Sequence, residues 1–459
     1  MIDLTNVKHV HCIGIGGIGL SAIAEILIAR GYKVSGSDMN HGETTDKLLE
    51  NGATVYFEHK AENVEDAQLI VYSAAIGKDN PELVRAAELG IPAITRAEML
   101  GLLMKHSKRS IAVAGTHGKT TTTSMISLII KDAKLDPTLL VGGNLEELGG
   151  NVRVGSDEYF VTEACEYMDS FLSLQPTIEI ILNIDSDHLD YFRDIDHIVE
   201  SFERFTRLVP ENGKILAYSA NPFVSKAVSG LKNVVTFGLG EECDYSAREV
   251  DFGKQGLPTY KLYHKDEYLT DIQLNLPGEY NILNSLAAVA CAHMLGIDLA
   301  IAKETLHSYQ GTQRRFDVQG ETAKGAKVVD DYAHHPTEIK ATLKAAHNMP
   351  HDKLWCIFQP HTYTRTIALF HEFGEAFKDA DVIVLAEIYA AREKNIHKIS
   401  AESLKDEIKK NYPDKEVVFF PTFEEIADYV MKNSNGDDLI LTMGAGDVYK
   451  IGDMIVENK

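Results

Sequence analysis

The sequence has no apolar run near the ~18 residues that a membrane-spanning helix needs, so no spanning segment is expected. Its first residues lack the basic stretch that opens a secretory signal. The cysteines Cys12, Cys165, Cys243, Cys291 and Cys356 are odd in number and widely scattered, which argues against a disulfide framework or a zinc site and fits a reducing cytoplasm. Basic residues are scarce, 45 lysines and arginines against 68 acids, for a formal charge of -23. A nucleic-acid or membrane-surface binder needs a basic face, so neither partner is expected and any phosphate site must be local. Internal repeats and low-complexity tails are absent too. What remains is a globular composition, 44% hydrophobic and 25% charged, in 459 residues. At ~150 residues per domain the length suggests about three domains.

The stretch that organises the rest runs from Ile111 to Ile130 and contains Gly115-Thr116-His117-Gly118-Lys119-Thr120-Thr121. An apolar strand, a glycine turn and a helix-length apolar stretch make an anion site from backbone N–H groups and the positive helix end. Lys119 can reach outer phosphates and the Thr120 hydroxyl can ligate Mg²⁺. Val113 stands where the usual phosphate-loop pattern has its first glycine, and the plain alternative is a structural strand-turn-helix.

A second glycine turn, Gly14-Ile15-Gly16-Gly17-Ile18-Gly19, follows a strand at 9–14, and Asp38 ends the next strand about twenty residues on, where a ribose hydroxyl is normally held. This opens a small α/β layer domain for a nucleotide or a nucleotide sugar. Lys105 to Arg109 is a polar break, and the domains are expected at 1–108, 109–312 and 313–459. In the middle segment Glu163 and His188 end apolar strands and could meet Thr120 around metal, the carboxylate and hydroxyl suiting Mg²⁺ and the imidazole a second divalent ion. Asn281, at the start of a helix over 283–295, either caps it or reads an adenine edge. An antiparallel insertion is expected over 233–276. In the last segment four strands end in polar clusters, among them 330–338 and 359–365, marking one rim of a parallel sheet.

Taken in order, Gly14 to Gly19, Tyr72 to Ile76, Arg96 to Leu100, Gly115 to Thr122, Asn183 to Asp190, Arg314-Arg315-Phe316, Asp330 to Glu338 and Gln359 to Arg365 resemble the Mur ligases nearly end to end. The resemblance implies a Rossmann-like domain for the UDP moiety, a central P-loop-type ATPase and a C-terminal Rossmann-like α/β domain that closes over the site. It implies an ATP-dependent amide ligase joining L-alanine to the carboxylate of UDP-N-acetylmuramate through an acyl phosphate, with a tripeptide-recycling ligase as the alternative. Lys119 and Arg315 would serve the γ-phosphate, Thr120 and Glu163 would hold Mg²⁺ or Mn²⁺, and His188 a second metal. Asn281 would read adenine, Asp331 hold ribose and Tyr332 stack on the base. Ser37, Asp38, His59 and Ser73 would join the glycines around UDP, leaving His334, His335, Arg365 and Arg392 as candidates for the amino acid.

The chain departs from the family pattern at Ala164-Cys165, where an Asp-Glu-Ser run is common, at Tyr280, where histidine is common, and around Phe202, which has no lysine to be carbamylated. Cys165 reads as a small buried filler. From other classes, an NAD-dependent oxidoreductase would use Gly14 to Asp38 but leave Gly115 to Thr122 idle, and a regulator would bind nucleotide without chemistry.

Overall fold

Short strands that are apolar on both faces need helices above and below them, and the chain builds three sheets of that kind. The computed structural model describes residues 4–396 and 398–457. In the first sheet the strands run Thr54–Tyr56, Lys33–Ser37, His9–Ile13, Leu69–Tyr72 and Ala93–Thr95, all parallel. The order reverses between His9–Ile13 and Leu69–Tyr72, which places a ligand crevice where the first glycine turn leaves the sheet.

The second sheet has ten strands. Its parallel centre sets Arg109–Ala114 between Ile178–Ile181 and Tyr159–Ala164, in a register that puts Val113 opposite Glu163. Beyond one edge Tyr245–Asp251, Thr259–His264 and Glu267–Gln273 form an antiparallel meander. The insertion therefore begins later than expected: Val234–Gly238 pairs parallel to Lys214–Tyr218, because its apolar run is that of a buried strand. The third sheet joins Lys327–Asp331, Leu439–Met443, Leu354–Phe358 and Val382–Leu385 as parallel neighbours, so the four polar strand ends do share a rim.

The first two layers pack through apolar surface. Helix Arg96–Lys105 lies on the segment Tyr167–Ser173, and Leu103 and Met104 are buried in one core with Phe171 and Phe202. Approach is so close that a Cβ on Gly101 would sit 1.9 Å from the Ser173 carbonyl oxygen, so only glycine fits. Phe202 is fully buried against Phe171. Every cysteine is free. Among the described residues no helix is long and apolar enough to cross a membrane.

Candidate active site

The phosphate loop follows from backbone chemistry. Gly115 and Gly118 lie at φ +139° and +85°, conformations that disfavour a side chain, and a Cβ on Gly118 would also strike the Asn284 amide oxygen at 2.5 Å. The loop delivers the chain into helix Lys119–Asp132, and Asn183 holds the His117 N–H at 2.8 Å through its side-chain oxygen. The Lys119 ammonium folds back over the loop, donating to the carbonyls of Gly115 at 2.5 Å and Thr116 at 3.1 Å and pairing with Glu166 at 2.9 Å. Burial would lower the Lys119 pKa, but Glu166, Cys165 and Glu163 outweigh it and keep the cation charged.

Beside this loop a cavity of about 450 Å³ opens between the second and third sheets. His117, Gly118, Thr121, Asn281, Arg315 and Asp331 all line it. Asn281 is not a cap: the helix starts earlier, at Glu279, after Gly278, and the Asn281 amide holds Pro277 O at 2.8 Å and accepts from Asn284 at 3.2 Å. Asp331 accepts backbone N–H bonds from Phe316 and Ala333, both at 2.8 Å, and burial pushes its carboxyl up to about 6. Tyr332 departs from the expected stacking role. Tyr332 follows the end of strand Lys327–Asp331 and does not line the cavity, and the Arg314 and Arg315 guanidiniums lie 5.0 and 4.9 Å from its ring centre.

The C-terminal layer meets the loop through ionic contacts. His117 bridges Asp185 of the central layer, at 3.2 Å, and Glu338 of the C-terminal one, at 3.1 Å. Burial lowers its pKa, yet the two carboxylates more than reverse this and raise it to about 9. The Thr337 hydroxyl donates to Asp185 at 2.8 Å, and Arg365 places Nε and Nη2 on one oxygen of Asp187, at 3.3 and 3.0 Å. Asp185 and Asp187 are held below the usual carboxylate range, burial notwithstanding, by these cations and donors. His335 is not free for an amine. Its Nε2 donates to Ser186 O at 3.0 Å and its Nδ1 accepts from Thr337 N–H as the cap of helix Pro336–His347.

His334 differs from its neighbour. Its Nδ1 donates to Tyr332 O at 2.9 Å, so Nε2 carries the lone pair, and burial lowers its pKa to about 4. His361 packs nearby, ring centres 5.9 Å apart, and Arg365 lies within 3.3 Å of it. His188 adjoins Asp187, in a left-handed conformation at φ +54°, against the Tyr167 ring. His188, His334, His361 and Arg365 thus form one corner.

A pocket of about 440 Å³ lies at the switch point of the first sheet, lined by Gly14, Gly16, Gly17, Asp38, His59 and Ser73 among others. Asp38 accepts from Gly16 N–H at 2.9 Å, which ties the glycine turn to the following strand. Ser37 departs from expectation, being fully buried and donating inward to Glu82 at 2.6 Å. Arg392 departs too. It lines this pocket and not the His334 corner, because the loop after Val382–Leu385 runs across to the first sheet, with Ala391 at φ +51° just before it. On the other side of the turn, Ile18 and Gly19 line a cavity of about 450 Å³ with Arg96, Glu163 and Cys165. Gly14, Gly17 and Ser73 line both spaces. Glu163 accepts from Gly142 N–H at 2.6 Å, and Cys165 is half-buried in the cavity wall, so it is no mere core filler. Sequence reasoning overlooked Arg96, Glu166 and Glu338, although Arg96 and Glu338 lie inside the stretches that carry the resemblance.

Compared with known proteins, residues 9–108 match the profile described as Mur ligase family, catalytic domain, residues 113–292 the Mur ligase middle domain, and residues 314–446 the Mur ligase, glutamate ligase domain. The chain is 48% identical to a UDP-N-acetylmuramate–L-alanine ligase of Acetivibrio thermocellus, over 100% of this chain and 98% of that one. The crystal structure of a UDP-N-acetylmuramate-alanine ligase from Thermotoga maritima superposes with a TM-score of 0.80 at 29% identity, covering 98% of each chain. A murein peptide ligase from Psychrobacter arcticus shares the fold, with a TM-score of 0.71 at 24% identity over 98% of each chain.

Proposed function

The chain belongs to the Mur ligase family, and from that premise we propose how its pockets divide one reaction. The enzyme joins L-alanine to the carboxylate of UDP-N-acetylmuramate at the expense of ATP, a step of peptidoglycan precursor synthesis. The observation that carries the division is the pair of spaces sharing Gly14, Gly17 and Ser73: one UDP-sugar can extend from the switch-point pocket to Glu163 beside the phosphate loop.

In this reading residues 1–108 hold the UDP-sugar, 109–312 hold ATP and 313–459 close the site. ATP lays its phosphates on Gly115 to Thr120, its adenine toward Asn281 and its ribose toward Asp331. The sugar carboxylate attacks the γ-phosphorus, ADP leaves, and an acyl phosphate forms. Such a transfer needs charge neutralised more than covalent help, and Lys119 and Arg315 supply it. The hard oxygens of Thr120 and Glu163 suit Mg²⁺, and His188 would serve a second Mg²⁺ or Mn²⁺; when bound, such ions offset phosphate charge.

Arg365 clamps the alanine carboxylate, and neutral His334 accepts the ammonium proton at Nε2. The freed amine attacks the acyl carbon, and the tetrahedral intermediate expels phosphate. Arg392 faces the UDP diphosphate. A cytoplasmic site of action fits these substrates. Phosphate release with UDP-N-acetylmuramate and saturating ATP tests the reading, with L-alanine, the tripeptide, glycine or no acceptor in parallel. Release driven by L-alanine is expected; release driven by the tripeptide alone would move the protein to recycling.

A further inference from the structure

Beneath the switch-point pocket lies a buried polar network that the reaction as described does not use. Glu82 is fully buried at the start of helix Pro81–Leu89, where the Asn80 side chain caps the helix by accepting from Glu82 N–H at 2.9 Å. Its Oε2 accepts from Ser37 Oγ at 2.6 Å and from His59 Nδ1 at 2.8 Å. Its Oε1 accepts from Asn63 at 2.8 Å and faces His11 Nε2 at 3.3 Å. His11 in turn bonds Ser35 at 2.8 Å, which bonds His9 at 2.8 Å. Burial alone would push the Glu82 carboxyl up, but the bonds from His11, Ser37, Asn63 and His59 outweigh it and hold the group ionised. Of these residues only His59 lines the pocket.

We propose that Glu82 is a positioning residue for the UDP-sugar, fixing the His59 ring with its Nδ1 proton inward and its Nε2 toward the diphosphate. The proposal rests on the reading of this pocket as the UDP site. Phosphate oxygens only accept, so Nε2 must carry a proton to bond them, and an imidazole whose Nδ1 proton is committed must then become imidazolium. The buried Glu82 carboxylate lies behind the ring, its Oε2 2.8 Å from Nδ1. The other charged or titratable groups around the ring are Asp38, His41 and Arg392 in the pocket, Glu58 and Lys60 flanking it in the chain, and His11 behind Glu82. Ser37 Oγ lies 3.0 Å from the same Nδ1, a second acceptor for that one proton. The arrangement lets a buried acid act on a ligand it never touches.

The test compares KM for UDP-N-acetylmuramate, KM for ATP and kcat in the wild type, Glu82→Gln, His59→Asn and the double variant, between about pH 6 and pH 9. Each single change is expected to raise KM for the UDP-sugar about tenfold, with KM for ATP and kcat within about twofold. The double variant should be no worse than either single one, and the wild-type gain in UDP-sugar affinity toward low pH should flatten in both. Loss of kcat and ATP affinity to the same degree in Glu82→Gln, or additive effects in the double variant, would overturn the proposal. If Glu82→Gln does not fold, His59→Asn decides, since a pH dependence surviving in it overturns the proposal as well. Asp38→Asn separates the two readings: a raised UDP-sugar KM there but not in His59→Asn removes the His59 role alone, whereas no effect in either removes the UDP site itself.

Discussion

Two seams hold this molecule together, and they are built from opposite materials. Between the first and second layers the contact is apolar and tight, with Leu103, Met104, Phe171 and Phe202 in one core and Gly101 pressed on the Ser173 carbonyl. Between the second and third it is mainly polar, made of His117 with Glu338, Thr337 with Asp185, His335 with Ser186 O and Arg365 with Asp187, beside the apolar contact of Tyr280 with the third core. An apolar seam has no alternative partner in water and stays shut, so it fixes the switch-point pocket relative to Glu163 and the phosphate loop. Ionic groups exchange partners with water and ligands at little net cost, which suits a layer that must admit ATP and release ADP. On the function proposed above, binding falls to the rigid seam and chemistry to the adjustable one.

The largest expected effect lies at the phosphate loop. Lys119→Ala should lower kcat at least about 10³-fold, measured as phosphate release, because the loop's other cation, His117, is committed to Asp185 and Glu338. Next, Arg365→Ala should cost about 10²-fold in kcat/KM for L-alanine while leaving the melting temperature near wild type, since it removes a ligand clamp and one contact of the adjustable seam. An equally large loss of stability would mean that this seam is structural after all. The rigid seam should respond the other way: Gly101→Val must displace the Ser173 backbone, and should destabilise by about 1–3 kcal/mol in chemical denaturation. The smallest effect is on pH. The folded-state pKa of His117, about 9, exceeds its unfolded value of 6.5, so its contribution is complete below pH 6.5 and is lost as pH rises through about 9. Protection against hydrogen exchange, relative to the intrinsic rate at each pH, should therefore fall at the ionic seam above pH 9 and hold at the apolar seam.

Much of this was legible in the chain because the decisive signals are local. Strand His9–Ile13 and its glycine turn, or Arg109–Ala114 and Gly115 to Lys119, are read within twenty residues, and the polar ends of the third sheet follow from apolar runs that stop at charged clusters. What escaped depends on the third dimension. Tyr332, just past the strand end, packs against two guanidiniums, and Ser37 faces inward to Glu82. Glu82 lies 45 residues from Ser37 and Glu338 lies 221 from His117, separations over which no spacing rule operates. Arg392 was placed with the amino acid because its motif belongs to the third sheet, yet its loop crosses to the first. Asn281 was read one turn too close to the helix start because Gly278, and not a polar side chain, opens that helix.

The most direct test of the division between seams is calorimetric titration of UDP-N-acetylmuramate into Lys119→Ala protein. The expected result is a dissociation constant within about twofold of wild type in a protein that no longer releases phosphate. Loss of UDP-sugar binding together with turnover would contradict it, because the phosphate loop and the glycine pocket would then be a single site.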